Sequence, residues 1–223
     1  MIAAVNPEPG GLRFDLQVIA SWIEPGARVL DLGCGNGDLL AHLKSHKQVA
    51  GTGTEQAEEK VARCIERGLT VLQGDFRTEV GDYPPNRFDV VVLSQTLQQI
   101  HDPKELLLDL LRIGRRVIVS FPNFAHWSAR LQILFTGRAP VNDQLPYEWY
   151  DTPNIRVITI NDFNRFLRTI GVRTVRHLAI NTYGHESRGT VVRCLKNLRA
   201  TYGIMMLERT RTAAPGRKTN AKK

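Results

Sequence analysis

Residues 28–38, with the sequence RVLDLGCGNGD, decide the fold of this chain. A short apolar run leads directly into a turn that contains Gly33, Gly35 and Gly37, and an acid then opens the helical pattern DLLAHL at residues 38–43. Glycines without side chains let a ligand lie against the backbone of such a turn. Because ligands of open α/β sheets bind at the carboxyl ends of the strands, this turn predicts a binding site.

Two details indicate what kind of ligand the turn binds. Asp31 precedes the first glycine by two positions, and the third glycine comes too early for the G-x-G-x-x-G pattern of a dinucleotide site. A carboxylate at this place repels an anionic pyrophosphate but attracts a ligand with an ammonium and a sulfonium group. The alternative is a structural turn in which Asp31 serves only as a capping residue.

Acidic residues also follow the next two predicted strands. Glu55 comes 24 residues after Asp31, where a carboxylate can accept two hydrogen bonds from a ribose diol. After the third strand we expect Asp75 to accept from an adenine amino group and Phe76 to pack on the ring. An isolated acid is more often a surface residue, but acids after three successive strands indicate one shared site. Ser94 and Gln95, after the fourth strand, are expected to face the rest of the ligand or a substrate.

The remaining chain alternates predicted strands with predicted helices. Residues 88–93 form a continuous, largely β-branched run that is typical of a central parallel strand, and a helix is predicted from Pro103 to about residue 113. The last predicted strands, 172–180 and 200–207, are expected to pair antiparallel at the sheet edge. The alternation predicts a doubly wound α/β fold, with a mostly parallel twisted sheet, helices on both faces and an antiparallel C-terminal edge strand.

These residues resemble the motifs of the class I S-adenosylmethionine-dependent methyltransferases over roughly residues 14–121. The resemblance implies a Rossmann-like class I methyltransferase fold, with S-adenosylmethionine or S-adenosylhomocysteine as the cofactor. The predicted cofactor-binding residues are Asp31, Gly33, Cys34, Gly35, Glu55, Gln56, Gly74, Asp75, Phe76 and Ser94.

A narrower resemblance, to the methionine biosynthesis protein MetW family, covers nearly the whole folded part of the chain. It rests on the blocks CIERGLTVLQGD (64–75), LSQTLQ (93–98), SFPNF (120–124), LPYEWYDTPNI (145–155) and NLRA (197–200). The resemblance implies a role in methionine biosynthesis with the homoserine O-acyltransferase MetX as partner. It does not imply that the chain methylates a substrate.

Residues 123–159 are predicted to be an insertion that covers the open end of the sheet. They contain a helical segment with an apolar face of Trp127, Leu131, Leu134 and Phe135, followed by an aromatic loop, YEWY, at residues 147–150. The loop could be a lid over the ligand or a partner-binding surface. We favour the partner-binding surface because tryptophan and tyrosine are preferred anchors of interfaces.

The sequence assigns no catalytic residue and shows no metal-ligand spacing. Side chains that could serve as a base near the ligand are those of His101, Asn123, His126, Tyr147 and Tyr150. Two functions remain open: a regulatory subunit that binds S-adenosylmethionine and acts on the acyltransferase step, and a methyltransferase for an unknown small molecule. A third, nucleic-acid methylation, would need a basic cleft in the folded part.

Composition bounds these alternatives. The chain has 223 residues and a net charge of +8, but residues 209–223 carry six basic residues and no acid, which leaves +2 for the rest. We therefore expect one domain over residues 1–208 and a disordered basic tail over 209–223, with no nucleic-acid partner. The three cysteines indicate reduced core thiols. Without an apolar run of about 18 residues or a signal-peptide pattern, a cytoplasmic location away from membranes is expected.

Overall fold

The computed structural model describes residues 11–142, 145–182 and 187–210. The strands are β1 (Arg28–Leu32), β2 (Ala50–Glu55), β3 (Thr70–Gln73), β4 (Phe88–Ser94), β5 (Gly114–Pro122), β6 (Val172–Thr182), β7 (Gly189–Val191) and β8 (Tyr202–Arg209). Over the described residues they form one eight-stranded sheet in the order β3-β2-β1-β4-β5-β8-β6-β7. The five strands β1 to β5 are parallel, and β8, β6 and β7 continue the sheet with antiparallel pairing.

The helices cover both faces of this sheet. They are α1 (Phe14–Ser21), α2 (Asp38–Lys47), α3 (Glu58–Glu66), α4 (Phe76–Glu79), α5 (Pro103–Ile113), α6 (Trp127–Thr136), α7 (Ile160–Thr169) and α8 (Lys196–Arg199). On one face α1 and α2 pack on the sheet, and on the other face α5 and α7 enclose a second core. The predicted α/β fold with helices on both faces is therefore confirmed.

The position of the C-terminal strand corrects one expectation. The strand β8 does not form the edge of the sheet but lies between β5 and β6, and the short β7 is the outer strand at this end. All residues of β8 from Tyr202 to Leu207 are buried. A strand that is apolar on both faces exposes less apolar surface to water inside a sheet than at its edge, which explains why β8 lies inside.

The helix after the insertion, α7, has a side-chain cap at its start. Thr159 is the N-cap of α7, and its hydroxyl oxygen accepts a hydrogen bond of 3.1 Å from the backbone N–H of Asp162. Ile160, Phe163 and Leu167 form the buried face of the helix. This anchored helix fixes the point at which the insertion returns to the sheet.

The segment predicted to be helical within the insertion forms α6. The segment is helical, but Ala129 is the buried residue of α6, while Leu134 and Phe135 are 73% and 77% exposed. The apolar face therefore does not pack on the sheet. It remains a solvent-exposed hydrophobic surface.

The insertion returns to the body of the protein along the loop after β4. The carbonyl oxygen of Gln98 accepts hydrogen bonds of 3.0 Å from the backbone N–H groups of both Ile155 and Arg156. Close by, the Phe124 N–H donates to the carbonyl of Ile158 at 3.1 Å. The end of the insertion is thus fixed beside the carboxyl ends of the central strands.

Other sequence expectations are met in part. Cys34 and Cys64 are buried free thiols, whereas Cys194 is exposed and is not a core residue. Arg209, assigned above to the tail, is the last residue of β8, and the tail residues 211–223 lie outside the described residues. In the described part of the chain, no helix combines the length and the apolarity that a membrane crossing would require.

Candidate functional site

The glycine turn after β1 adopts the backbone conformation that its sequence indicates. Gly35 and Gly37 have φ angles of +58° and +75°, in the left-handed region that other residues rarely adopt. A Cβ atom at Gly37 would lie 2.9 Å from the Cys64 sulfur and would also collide with Leu69. At Gly35 the space around such an atom is open over 4 Å. Gly37 therefore permits close packing with α3, and Gly35 leaves room above the turn.

Two adjoining cavities lie along this turn, at the carboxyl ends of the parallel strands. Their volumes are about 760 Å³ and about 450 Å³. The walls that the two cavities share are formed by Gly33, Gly35, Lys60, Ser94 and Gln95. The arrangement makes a continuous cleft that runs from α1 across the glycine turn towards the end of β3.

Nine of the ten predicted cofactor-binding residues line this cleft. The first cavity is lined by Asp31, Gly33, Cys34, Gly35 and Ser94, and the second adds Glu55, Gln56, Gly74 and Phe76. These residues come from the ends of four different strands. Parallel strands bring their carboxyl ends to one edge of a sheet, which is why residues so distant in sequence meet here.

Asp75 lines neither cavity. Its carboxylate caps α4 by accepting a hydrogen bond of 3.0 Å from the backbone N–H of Arg77, and it also forms an ion pair with the Arg77 guanidinium. The hydrogen bond from the Arg77 side chain is the main reason why the pKa of Asp75 is lowered. In this structure the carboxylate oxygens of Asp75, which we expected to accept from an adenine amino group, accept hydrogen bonds from Arg77 instead.

Asp31 lies in the wall of the first cavity and is only 3% exposed. Burial raises the pKa of its carboxyl group to about 7, the nearby Arg13 charge opposes this rise, and the charge of Glu55 adds to it. A carboxyl group with such a pKa responds strongly to a ligand that brings a positive charge. Its position near the end of β1 places this titratable carboxyl group in the wall of the first cavity.

Glu55 lines the second cavity and is hydrogen-bonded to the glycine turn. One carboxylate oxygen accepts a hydrogen bond of 2.9 Å from the Gly35 N–H, and the other accepts from the N–H groups of Gln56 and Ala57 at 3.0 Å. These bonds fix the orientation of the carboxylate at the end of β2. A fixed carboxylate at this place can accept further hydrogen bonds from hydroxyl groups.

Sequence reasoning missed the contribution of the first described residues. Arg13 lines the first cavity, and its guanidinium is bonded to the buried carboxylate of Asp15. Asp15 in turn accepts a hydrogen bond of 2.8 Å from the side-chain amide of Gln95, which lines both cavities. Residues 15 and 95 are 80 positions apart, and no local pattern links them.

None of the five suggested acid–base residues lines either cavity. The Asn123 side chain is buried and donates to the carbonyls of Asn197 and Ala200, so it connects two loops. His126 caps α6 and is bonded to Ser128. His101, Tyr147 and Tyr150 are exposed. Among the described residues there is also no group of three or more His, Cys, Asp or Glu side chains able to hold a metal ion.

This sheet order, the glycine turn and the cleft define a protein with the class I S-adenosylmethionine-dependent methyltransferase fold. Its structure is similar to that of magnesium protoporphyrin IX methyltransferase from Synechocystis PCC 6803 with bound SAH. The TM-score is 0.60 at 15% sequence identity, and the match covers 88% of this chain and 82% of that one. Within this class, the chain belongs to the family described as methionine biosynthesis protein MetW, whose model matches residues 13–207.

Two relatives place the family in context. A stretch of 170 residues, 72% of this chain, is 36% identical to the bifunctional methionine biosynthesis protein MetXA/MetW of Rhodopirellula baltica, of which it covers 27%. A shorter stretch, 44% of this chain, is 31% identical to 44% of the ubiquinone biosynthesis O-methyltransferase of Aeromonas salmonicida. The matched stretches therefore span about a quarter of the first relative's length and less than half of the second's.

Proposed function

We propose that this chain is an S-adenosylmethionine-binding protein of methionine biosynthesis that acts with the homoserine O-acyltransferase MetX as a partner or regulatory subunit. The observation that carries the proposal is the Rhodopirellula baltica relative, whose name joins MetXA and MetW in one polypeptide. Two activities that are joined in one chain in one organism are good candidates for a complex of separate chains in another.

The chemistry of the cleft supports S-adenosylmethionine as the ligand. Asp31 offers a carboxyl group to the ammonium group of the ligand, and Glu55 offers acceptor oxygens to the ribose hydroxyls. Phe76, in the wall of the second cavity, supplies an apolar surface for adenine. The open space above Gly35 lets the ligand lie against the backbone. S-adenosylhomocysteine has the same adenosine and amino-acid groups, so it fits the same residues.

The exposed side chains of the insertion support a protein partner. We call them the insertion surface; its members are Trp127, Leu131, Ile133, Leu134, Phe135, Tyr147, Trp149 and Tyr150, which are between 41% and 77% exposed. A hydrophobic surface rich in aromatic residues is typical of a site at which another protein binds. We assign MetX as the protein that covers it.

The same ligand provides a means of regulation. S-adenosylmethionine is made from methionine, so its binding to a protein that acts at an early step would let the end of the pathway report to its beginning. This requires the ligand to favour either the partner-bound or the free state, because equal affinity for both states shifts nothing. A coupling of about 1–3 kcal/mol would change the affinity for MetX roughly 5- to 150-fold.

A small-molecule methyltransferase is the second candidate function. It is favoured by the similarity to the ubiquinone biosynthesis O-methyltransferase of Aeromonas salmonicida. None of the five acid–base candidates named above lines the cleft, which weighs against this function; the histidine that does line the first cavity is His42. Methyl transfer to a protonated nucleophile needs a base close to the acceptor atom.

Co-expression with MetX tests the proposal directly. Complex formation is measured by affinity capture of purified components, and acyl transfer by MetX is assayed alone and with this chain, each with and without S-adenosylmethionine. We expect a complex and a changed rate of acyl transfer. No complex and an unchanged rate would contradict the proposal and would favour the methyltransferase alternative. Equal results with and without S-adenosylmethionine would remove the regulatory part alone.

A further inference from the structure

Arg13 and Asp15 form a rigid pair at the edge of the first cavity. The Arg13 guanidinium donates from Nε and Nη2 to the two carboxylate oxygens of Asp15, at 3.1 Å and 2.9 Å. Asp15 is 1% exposed, whereas the Arg13 side chain is 26% exposed and lines the cavity. The pair therefore has a buried anionic end and an accessible cationic end.

A second hydrogen bond fixes this pair against the loop after β4. The Gln95 side-chain amide donates to Asp15 at 2.8 Å, and Gln95 itself has a φ angle of +52°. Its backbone N–H donates to the carbonyl of Ser120 at 2.9 Å, which holds the loop on β5. Asp15 thus joins α1 to the central strands and sets the position of Arg13 relative to the glycine turn.

The guanidinium keeps hydrogen-bonding capacity for a ligand. Arginine has five N–H donors in a planar fork that matches the shape of a carboxylate. The two bonds to Asp15 use only part of this capacity. A second carboxylate, on the ligand, can therefore bind to the same guanidinium from the cavity side.

Arg13 and Asp31 present opposite charges to the same cavity. Both line its wall. The positive charge of Arg13 partly offsets the rise that burial causes in the pKa of Asp31. An α-amino acid carries an ammonium group and a carboxylate on one carbon atom. The two side chains are complementary to those two groups.

We propose that Arg13 binds the carboxylate of the amino-acid end of S-adenosylmethionine, with Asp15 and Gln95 as positioning residues. This inference rests on the ligand proposed above. The other cations of the first cavity are less suited to this role. Arg67 is bonded to Asp38 at 2.7 Å, and Lys60 lies where the two cavities meet, on the helix that follows Glu55.

The test compares two ligands that differ only in the carboxylate: S-adenosylmethionine and decarboxylated S-adenosylmethionine. Calorimetry measures the affinity of each for the wild-type chain and for Arg13→Ala. We expect Arg13→Ala to bind S-adenosylmethionine about 10- to 150-fold more weakly, as for loss of a charge-assisted hydrogen bond. Its affinity for the decarboxylated ligand should stay within about threefold of wild type, because Arg13 has no carboxylate to bind there.

Lys60→Ala is the matched control, since Lys60 is a cation of the same cavity. We expect it to change the two affinities equally. The inference would be overturned if Arg13→Ala lost affinity for both ligands equally, or lost affinity for neither. If Arg13→Ala does not fold, Arg13→Lys answers the question, because it keeps the charge but not the planar fork, and we expect a loss confined to S-adenosylmethionine. Wild-type chain that binds neither ligand would instead refute the proposed ligand itself.

Discussion

The carboxylate of Glu55 accepts a hydrogen bond of 2.9 Å from the backbone N–H of Gly35, which ties the end of β2 to the glycine turn after β1. The same carboxylate therefore shapes the turn and faces the second cavity. The glycine turn and Glu55, which follows Gly35 by 20 residues, therefore belong to one structural unit.

Replacing Glu55 by glutamine should weaken ligand binding more than folding. Glu55→Gln keeps one oxygen that can accept from Gly35 but loses the charge and the second acceptor. We expect the affinity for S-adenosylmethionine to fall about 10- to 150-fold, as for a hydrogen bond to a charged group worth about 1.5–3 kcal/mol. Calorimetry measures the affinity and thermal melting measures the stability. Glu58→Gln, on the exposed start of α3, serves as the control and should bind as wild type does; equal affinities in the two variants would show that Glu55 does not contact the ligand.

The raised pKa of Asp31 predicts how stability depends on pH. The pKa is about 7 in the folded protein, against a value of 3.8 for the free carboxyl group. Between these values the folded chain keeps a proton that the unfolded chain has lost, so the contribution of Asp31 to stability falls as pH rises from about 4 to about 7. Urea unfolding at pH 5.5 and pH 7.5 should show that Asp31→Asn reduces this decline. A decline equal to that of wild type would contradict the assignment.

Ligand binding should have the opposite pH dependence. A positively charged ammonium group favours the ionised carboxylate, so the affinity for S-adenosylmethionine should increase as pH rises from about 5.5 to about 7.5. Asp31→Asn should show a flat profile over this range. Asp38→Asn, in which an exposed acid of the same cavity is changed, should keep the wild-type slope. A wild-type affinity that does not change with pH would show that the ligand leaves Asp31 protonated.

Packing behind the glycine turn gives a prediction about stability. A Cβ atom at Gly53 in β2 would lie 2.6 Å from the Cys34 sulfur and 2.9 Å from Leu40 Cδ1. Gly53→Ala should therefore lower the free energy of unfolding by about 1–3 kcal/mol through overpacking. At Gly81 the same added atom has nothing within 4 Å, so Gly81→Ala should be close to neutral. Denaturant unfolding of both variants checks this; similar midpoints would mean that the space around Gly53 adapts freely.

The insertion surface predicts a separation between partner binding and ligand binding. Trp149 is 74% exposed and lines neither cavity. Trp149→Ala should weaken binding to MetX by about 2 kcal/mol or more, as for loss of an aromatic anchor of an interface, and should leave the affinity for S-adenosylmethionine unchanged.

Ile65 provides the control for this experiment, because it is 61% exposed but lies on α3, outside the insertion. Ile65→Ala should bind MetX as wild type does. Equal affinities of wild type, Trp149→Ala and Ile65→Ala for MetX would place the interface elsewhere on the chain.

The helix of the insertion shows where sequence periodicity stops being informative. The apolar spacing of residues 127–135 correctly predicts a helix, since periodicity reflects local backbone geometry. The same spacing occurs whether an apolar face packs inside the chain or against another protein. Only the structure shows that Leu134 and Phe135 are left uncovered in this chain.

The sequence by itself determined the α/β fold and the acids at the carboxyl ends of successive strands, because the alternation of strands and helices along the chain and the glycines of the turns are local features. Parallel pairing then brings Asp31 and Glu55 to one edge without further information. The tertiary structure alone decided that Arg13 joins this cleft, that Asp75 pairs with Arg77, and that β8 lies inside the sheet. Contacts such as that between Asp15 and Gln95 depend on how distant segments pack, and no pattern of neighbouring residues specifies such a contact.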